Sequence, residues 1–276
     1  RSYRSAASAA AFLRRPKHSA APPVRLATSR HHPISQTRYG EYTCYTVNPP
    51  GHHDVGDGRG STLYVHGGGY VTEITRAHWT LISDIAAPTR CPVHVPIYGL
   101  APHHDGVDAH AFLREVVTDH AARGPVHLAG DSAGGGLALA VTQRWLADGG
   151  APPVGLTLIS PWLDATVSNP AIANVAHRDP WLGVGALRVV AKVWAGALDI
   201  TDPRVSPVFG DLSTLPPIDL YVGTRDILQP DCLRLHDGAP AGRVTYTEEP
   251  GGIHVYPLLP APEGRRARAQ LLERLS

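Results

Sequence analysis

Methionine is missing from all 276 positions, including the first. A chain of this length normally carries several. The sequence is therefore expected to begin after its translational start and to lack modified methionines, which would shorten the spacings below by a residue or two. Lysine is nearly missing too: only Lys17 and Lys192 occur, and 25 Lys and Arg against 24 Asp and Glu leave a formal charge of +1. So weak a net field gives nothing to draw in nucleic acid or an anionic membrane surface, and the expected partners are small, mostly neutral molecules. Cysteine is scarce. Cys44, Cys91 and Cys232 are odd in number and scattered, which excludes a disulfide framework, and no pair has metal-ligand spacing. They read as buried thiols of a reducing compartment. No apolar run approaches the roughly 20 residues of a membrane-spanning helix, so stable membrane insertion is excluded. The stretch from Ser5 to Leu13 is mainly Ala and Ser and is followed by Arg14, Arg15 and Lys17, the wrong flank for a signal cleavage site. A cytoplasmic location is expected, with export left open by the short apolar run after Arg1 and Arg4.

What is present is a hydrophobic content of 43% with Pro and Gly spread throughout, enough to bury one large core. Strand and helix signals alternate, the pattern of a mostly parallel sheet with helices on both faces. Strands are expected at 41–47, 61–65, 92–98, 126–129, 154–159, 218–222 and 243–248. Helices are expected at 78–87, 107–122, 134–147, from about 231, and at 265–275. Residues 1–40, rich in Arg and Ala, read as short helices lying over the rest, and 49–60 as a loop without core periodicity. The alternation breaks at 161–216, which holds three of the five tryptophans and one helical stretch near 186–197 but no convincing strand. The expected organisation is one catalytic domain: a core of 41–160 and 217–276, an inserted cap at 161–216, and cap helices at 1–40.

The chemistry concentrates at Gly130-Asp-Ser132-Ala-Gly134, between a predicted strand and a predicted helix, the context a Gly-x-Ser-x-Gly elbow requires. So tight a turn admits only very small residues two places either side of the serine, and it projects the hydroxyl from a strained backbone. The helix that follows offers free N–H groups and a partial positive charge, which favour an oxyanion. His66-Gly67-Gly68-Gly69 ends the strand 61–65 and leaves backbone amides unshielded. The amides of Gly67, Gly68 and Gly69, with that of Ala133, are the expected oxyanion hole. Neither glycine cluster continues into the Gly-Lys-Ser/Thr of a phosphate-binding loop.

A nucleophilic serine needs a base, and the chain has sixteen histidines. Chain order selects His254, after the last predicted strand, with Asp226 after the penultimate one as the acid that orients it; Asp231 is the rival acid. His103 and His104, like His52 and His53, fall in loops and are expected to be solvated. These pairs and His31-His32 lack a carboxylate or Cys at ligand spacing, so no metal is expected.

Taken together, His66-Gly-Gly-Gly, Gly130-Asp-Ser-Ala-Gly, Asp202-Pro-Arg-Val-Ser-Pro207, Gly223-x-x-Asp226 and His254 resemble the hormone-sensitive-lipase-like esterases, a branch of the α/β hydrolases. The resemblance runs from about residue 40 to the end. It implies a sheet of about eight strands, a cap built from the N-terminal helices and the insertion, no cofactor, hydrolysis of short to medium acyl esters, and a homodimer as a common assembly. An amidase or deacetylase would share the same triad, and a silent ligand-binding member would need a broken one. Two departures stand out. Tyr98-Gly-Leu-Ala-Pro-His-His104 has Gly99 and His103 where the family usually has Arg and Glu. Tyr70-Val-Thr-Glu-Ile also follows the glycine triplet where relatives often carry another glycine. Tyr70, Trp162, Trp181 and Tyr256 are aromatic, lie near motif ends and are the candidate lining of an apolar substrate pocket.

Overall fold

In the computed structural model the described residues are 3–18, 20–23, 32–51 and 60–275. His31, His52, His53 and most of the expected loop 49–60 lie outside them. Eight strands form one sheet: β1 (Ile34–Tyr39), β2 (Tyr42–Val47), β3 (Ser61–Val65), β4 (Val93–Ile97), β5 (Val126–Asp131), β6 (Gly155–Ile159), β7 (Ile218–Gly223) and β8 (Val244–Glu249). Their spatial order is β1-β2-β4-β3-β5-β6-β7-β8. β2 runs antiparallel to both its neighbours, and all other pairings are parallel.

Helices cover both faces, and strand periodicity dictates which residues they meet. Successive side chains of a strand point to opposite faces. Leu63 and Val65 of β3, Leu128 of β5, Leu156 and Leu158 of β6, and Leu220 and Val222 of β7 therefore enter one core. On that side lie α3 (Gly106–Ala121), α4 (Ser132–Ala147), α5 (Val184–Ala195) and α6 (Gln229–Gly238). The residues in between, Tyr64, Ala129, Ile159 and Tyr221, enter a second core against α2 (Arg76–Thr89) and α7 (Pro262–Leu275). Each fully buried Leu or Val contributes about 1.5–3 kcal/mol relative to exposure, and the runs apolar on both faces are what mark these strands as central.

Residues 1–40 differ from the expectation of helices alone. A short helix, α1 (Ala6–Leu13), is present and lies against α5, but residues 34–39 form the edge strand β1. Its side chains from Ser35 to Arg38 face solvent, so no apolar alternation announces it. Backbone pairing makes it a strand: Ile34 faces Val47 and Tyr39 faces Tyr42 across the two-residue turn Gly40-Glu41, in which Gly40 takes φ 57°. A glycine with positive φ in a two-residue loop is the chemistry of a tight hairpin, and it was the available signal. Between β6 and β7 the described chain holds α5 and two 3₁₀ turns (Pro170–Asn174 and Pro207–Phe209), with no strand beyond an isolated bridge from Leu182 to Tyr3.

Helix α4 reaches the sheet so closely because its first turns carry no side chains of size. A Cβ on Gly136 would overlap the carbonyl oxygen of Trp162, a backbone atom unable to swing aside. Gly136→Ala is therefore expected to lower stability by about 2 kcal/mol despite the better helix propensity of alanine. Its urea unfolding midpoint, compared with that of the parent chain, checks this.

Candidate active site

The turn from β5 into α4 places Ser132 at the carboxyl edge of the sheet with φ 51°, a left-handed conformation costly for a residue with a side chain. Its neighbours permit it. A Cβ on Gly130 would come within 2.7 Å of the Gly134 carbonyl and 2.8 Å of that of Val65, and one on Gly134 would overlap the Val65 carbonyl outright. Glycine at both positions is thus a packing requirement between β3, β5 and α4.

Ser132 Oγ lies 2.9 Å from His254 Nε2, and His254 Nδ1 lies 2.8 Å from Asp226 Oδ2. A carboxylate only accepts, so Nδ1 carries the proton it donates to Asp226, which leaves Nε2 free to accept from the serine hydroxyl. Asp226 is wholly buried, and its other oxygen accepts the Leu228 amide at 3.0 Å. Burial alone would push the His254 imidazole down, but the Asp226 carboxylate outweighs it and holds the ring above its ordinary value of 6.5. The loop carrying His254 is fixed by the Val255 amide, which donates to Ser160 Oγ at 3.0 Å. Asp231 has a different partner: it accepts from Asn169 Nδ2 at 2.8 Å, and burial raises its carboxyl to about 6. No contact joins it to His254.

Asp179, which no motif announces, supports the acid. Its Oδ2 accepts the Ile227 amide at 2.9 Å, directly after Asp226, while its Oδ1 accepts the amides of Trp181 and Leu182 at 2.7 and 2.8 Å. One side chain thereby joins the acid loop to the segment between β6 and β7.

Asp131 does the same for the glycine loop. Its Oδ1 accepts the Gly67 amide at 2.9 Å and the Tyr64 hydroxyl at 2.8 Å, and its Oδ2 lies 3.2 Å from His78 Nε2. His78 Nδ1 accepts the Thr75 amide at 2.8 Å, so the ring proton sits on Nε2 and is donated to Asp131. Burial disfavours the Asp131 carboxylate, yet these donors outweigh it and hold its pKa below the ordinary value. The expectation for Gly67 is corrected here: its N–H is committed to Asp131 and is not free to meet an oxyanion. Gly68 and Gly69, with φ of 124° and 57°, do line the space in front of Ser132. Ala133 sits in the first turn of α4, where an amide has no intrahelical acceptor.

That space is a cavity of about 340 Å³. Trp162 and Trp181 line it, together with Leu182, Leu187 and Leu228. Tyr70 and Tyr256 do not, which corrects the reading of them as pocket residues. Tyr70, at φ 61°, is buried and stacks 4.0 Å from Trp194 and 5.6 Å from Trp162, supporting the pocket wall from behind. Tyr256 is buried in the core under α2 and α7, on the other face of the sheet. The other departure also has a physical account: the His104 ring occupies the space that any side chain at position 99 would need. His104 is only half-buried, with Nδ1 3.2 Å from the Tyr42 hydroxyl, while His103 is exposed. His66 is buried against Tyr98 at 4.6 Å, and desolvation lowers it to about 4, so it stays neutral. Among the described residues no group of His, Cys, Asp and Glu is arranged to hold a metal ion, and no helix is long and apolar enough to cross a membrane. Cys44 and Cys232 are buried as expected, while Cys91 is partly exposed, and no disulfide joins any of the three.

Comparison with known proteins supplies an independent line. The model of an α/β-hydrolase-fold family matches residues 62–258. An acetyl-hydrolase of Streptomyces hygroscopicus is 37% identical over 222 residues, covering 76% of this chain and 73% of that protein. A triacylglycerol lipase of Mycobacterium tuberculosis is 30% identical over 263 residues, 92% of this chain but 54% of that protein. A hormone-sensitive lipase from a metagenome library superposes with a TM-score of 0.77 at 27% identity, covering 97% of this chain and 89% of that one. The match of family, relatives and architecture, reached separately from the geometry around Ser132, means that this chain belongs to the α/β-hydrolase-fold family, among its hormone-sensitive-lipase-like esterases.

Proposed function

We propose that this chain hydrolyses carboxylic esters of short to medium acyl length through an acyl-enzyme on Ser132. The observation that carries the reading is the unbroken line from Ser132 Oγ through His254 to Asp226, at 2.9 and 2.8 Å, opening on an apolar cavity. In the first half-reaction Ser132 Oγ bonds to the ester carbonyl carbon while its proton passes to His254 Nε2. The carbonyl oxygen becomes an oxyanion, which the amides of Gly68, Gly69 and Ala133 receive. Collapse expels the alcohol, which takes the proton from His254. Water then repeats the sequence on the acyl-enzyme, giving up its proton to His254, and releases the acid and the serine hydroxyl. Asp226 orients the ring through Nδ1 and stabilises the imidazolium that forms twice per cycle.

The names of two relatives, an acetyl-hydrolase and a triacylglycerol lipase, bracket a wide acyl range. The lining by Trp162, Trp181, Leu182, Leu187 and Leu228 supports an apolar acyl group, and the modest volume, shared between acid and alcohol, favours the short end. An intact triad favours turnover over silent binding. The buried thiols of Cys44 and Cys232, which form no disulfide, support a cytoplasmic setting.

Hydrolysis of p-nitrophenyl esters by the intact protein is expected to be fastest from acetate to hexanoate and to decline for longer acyl groups. Ser132→Ala is expected to lower kcat on the order of 10⁴-fold or more. Equal activity in that variant would remove Ser132 from the mechanism, and amide turnover without ester turnover would replace the substrate class.

The pH dependence follows from the direction of the His254 shift. The base must be neutral, so kcat/KM rises with pH as His254 loses its proton, and the midpoint of that limb is expected above 6.5, the ordinary imidazole value. Asp226→Asn removes the charge that raises it. Activity is then expected to fall by on the order of 10³- to 10⁴-fold, with the residual activity titrating at a lower pH. An acid limb that stays in place in Asp226→Asn would show that another group titrates.

A further inference from the structure

Tyr3 lies against the glycine loop, remote from it in sequence. Its hydroxyl donates to the Gly68 carbonyl at 2.7 Å and lies 2.6 Å from Thr72 Oγ1. A phenol has one proton to give, so Thr72 is the donor in the second bond. The ring stacks on Phe12 at 5.5 Å, and a Cβ on Gly69 would come within 2.9 Å of its Cε1. Burial pushes the phenol up to about 12, so it remains a protonated donor across any assay range. On its other side Tyr3 pairs with Leu182 in the isolated bridge, and Arg4 Nη1 donates to the carbonyls of Asp179 and Pro180 at 3.3 and 3.2 Å. Residues 3 and 4 thus span from the glycine loop to the segment that Asp179 fastens to the acid loop.

A peptide unit is planar, so fixing the direction of the Gly68 carbonyl fixes the Gly69 N–H in the opposite direction. Glycine backbone gives little resistance of its own to reorientation. Two consecutive glycines at positive φ therefore need partners from outside the pair. The amides of Val71 and Thr72, at 3.2 and 3.0 Å, are local ones from the same turn. Tyr3 brings one from a distant part of the chain, and it is the donor that a substitution can remove without altering the backbone.

We infer that Tyr3 is a positioning residue for ester hydrolysis: its hydroxyl, through the Gly68 carbonyl, holds the Gly69 amide in the orientation that receives the oxyanion. This rests on the reading of Gly68 and Gly69 as oxyanion donors given above. The effect is expected in the transition state and in tetrahedral adducts, where charge sits on that oxygen, and not in ground-state binding.

The test is Tyr3→Phe, which keeps the ring, its stacking on Phe12 and the bridge to Leu182 and removes only the hydroxyl. Loss of a direct oxyanion donor costs on the order of 10²- to 10³-fold in kcat, and a group acting through such a donor is expected to cost about tenfold. On p-nitrophenyl acetate KM should stay within about twofold, and affinity for an alkyl boronic acid, which forms a tetrahedral adduct on Ser132, should fall by the same factor as kcat/KM. The acid limb of the pH profile should not move, since His254 is untouched. Thr72→Val, which leaves the bond from Tyr3 to Gly68, should show the same pattern at smaller amplitude. The inference is overturned by unchanged kcat and boronate affinity in Tyr3→Phe, or by a loss confined to KM or to the melting temperature. An intact protein that neither turns over esters nor binds the boronic acid overturns the esterase reading together with it, whereas full activity in Tyr3→Phe overturns this inference alone.

Discussion

The site depends on one buried carboxylate that stands outside the line from Ser132 through His254 to Asp226. Asp131 precedes Ser132 in the chain and accepts from the Gly67 amide, the Tyr64 hydroxyl and His78. A charge this deep is tolerable only because every donor around it is aimed at it. The consequence is mechanical: the end of β3, the end of β5 and the start of α2 meet on one pair of oxygens. The glycine loop and the Ser132 turn, which arrive from different strands, are thereby held in one frame. Glycine at 130 and 134 completes the arrangement by letting the β3 carbonyls and α4 approach within a distance no side chain would allow.

A second carboxylate repeats the device on the opposite wall. Asp179 gathers the amides of Trp181, Leu182 and Ile227, so the segment that lines the cavity and the loop that carries Asp226 share an anchor. Burial raises the Asp179 carboxyl, while the amides that donate to it act the other way. The roles of the three acids differ with their surroundings: Asp226 meets the imidazole that reaches Ser132, the imidazole on Asp131 is that of His78, and Asp179 meets backbone amides.

Much of this was legible from residue order. The central strands announce themselves because both their faces are buried, and the serine, the acid and the histidine because each follows a strand end at the same edge of the sheet. β1 stayed hidden because an edge strand with solvated side chains carries no apolar alternation, and only the Gly40 turn hinted at it. The supporting residues were less accessible still. Tyr3 meets Gly68 and Asp179 meets Ile227 across long stretches of chain, with no local motif at either end. The aromatic candidates divided for a similar reason: ring chemistry says that Trp162, Trp181, Tyr70 and Tyr256 will be covered, but not whether by a cavity or by a core. Gly67 shows the limit of motif reasoning in miniature, since three successive glycine amides look equivalent until a carboxylate claims one.

The contacts of residues 181 and 182 with Asp179 are made by backbone amides alone, while their side chains face the cavity. Identity at these positions is thereby separated from alignment of the acid loop. Exchange of the tryptophan or the leucine would reshape the cavity while the peptide groups beneath keep the same partners. The form of the cavity and the anchoring of the Asp226 loop are therefore independent at these two positions.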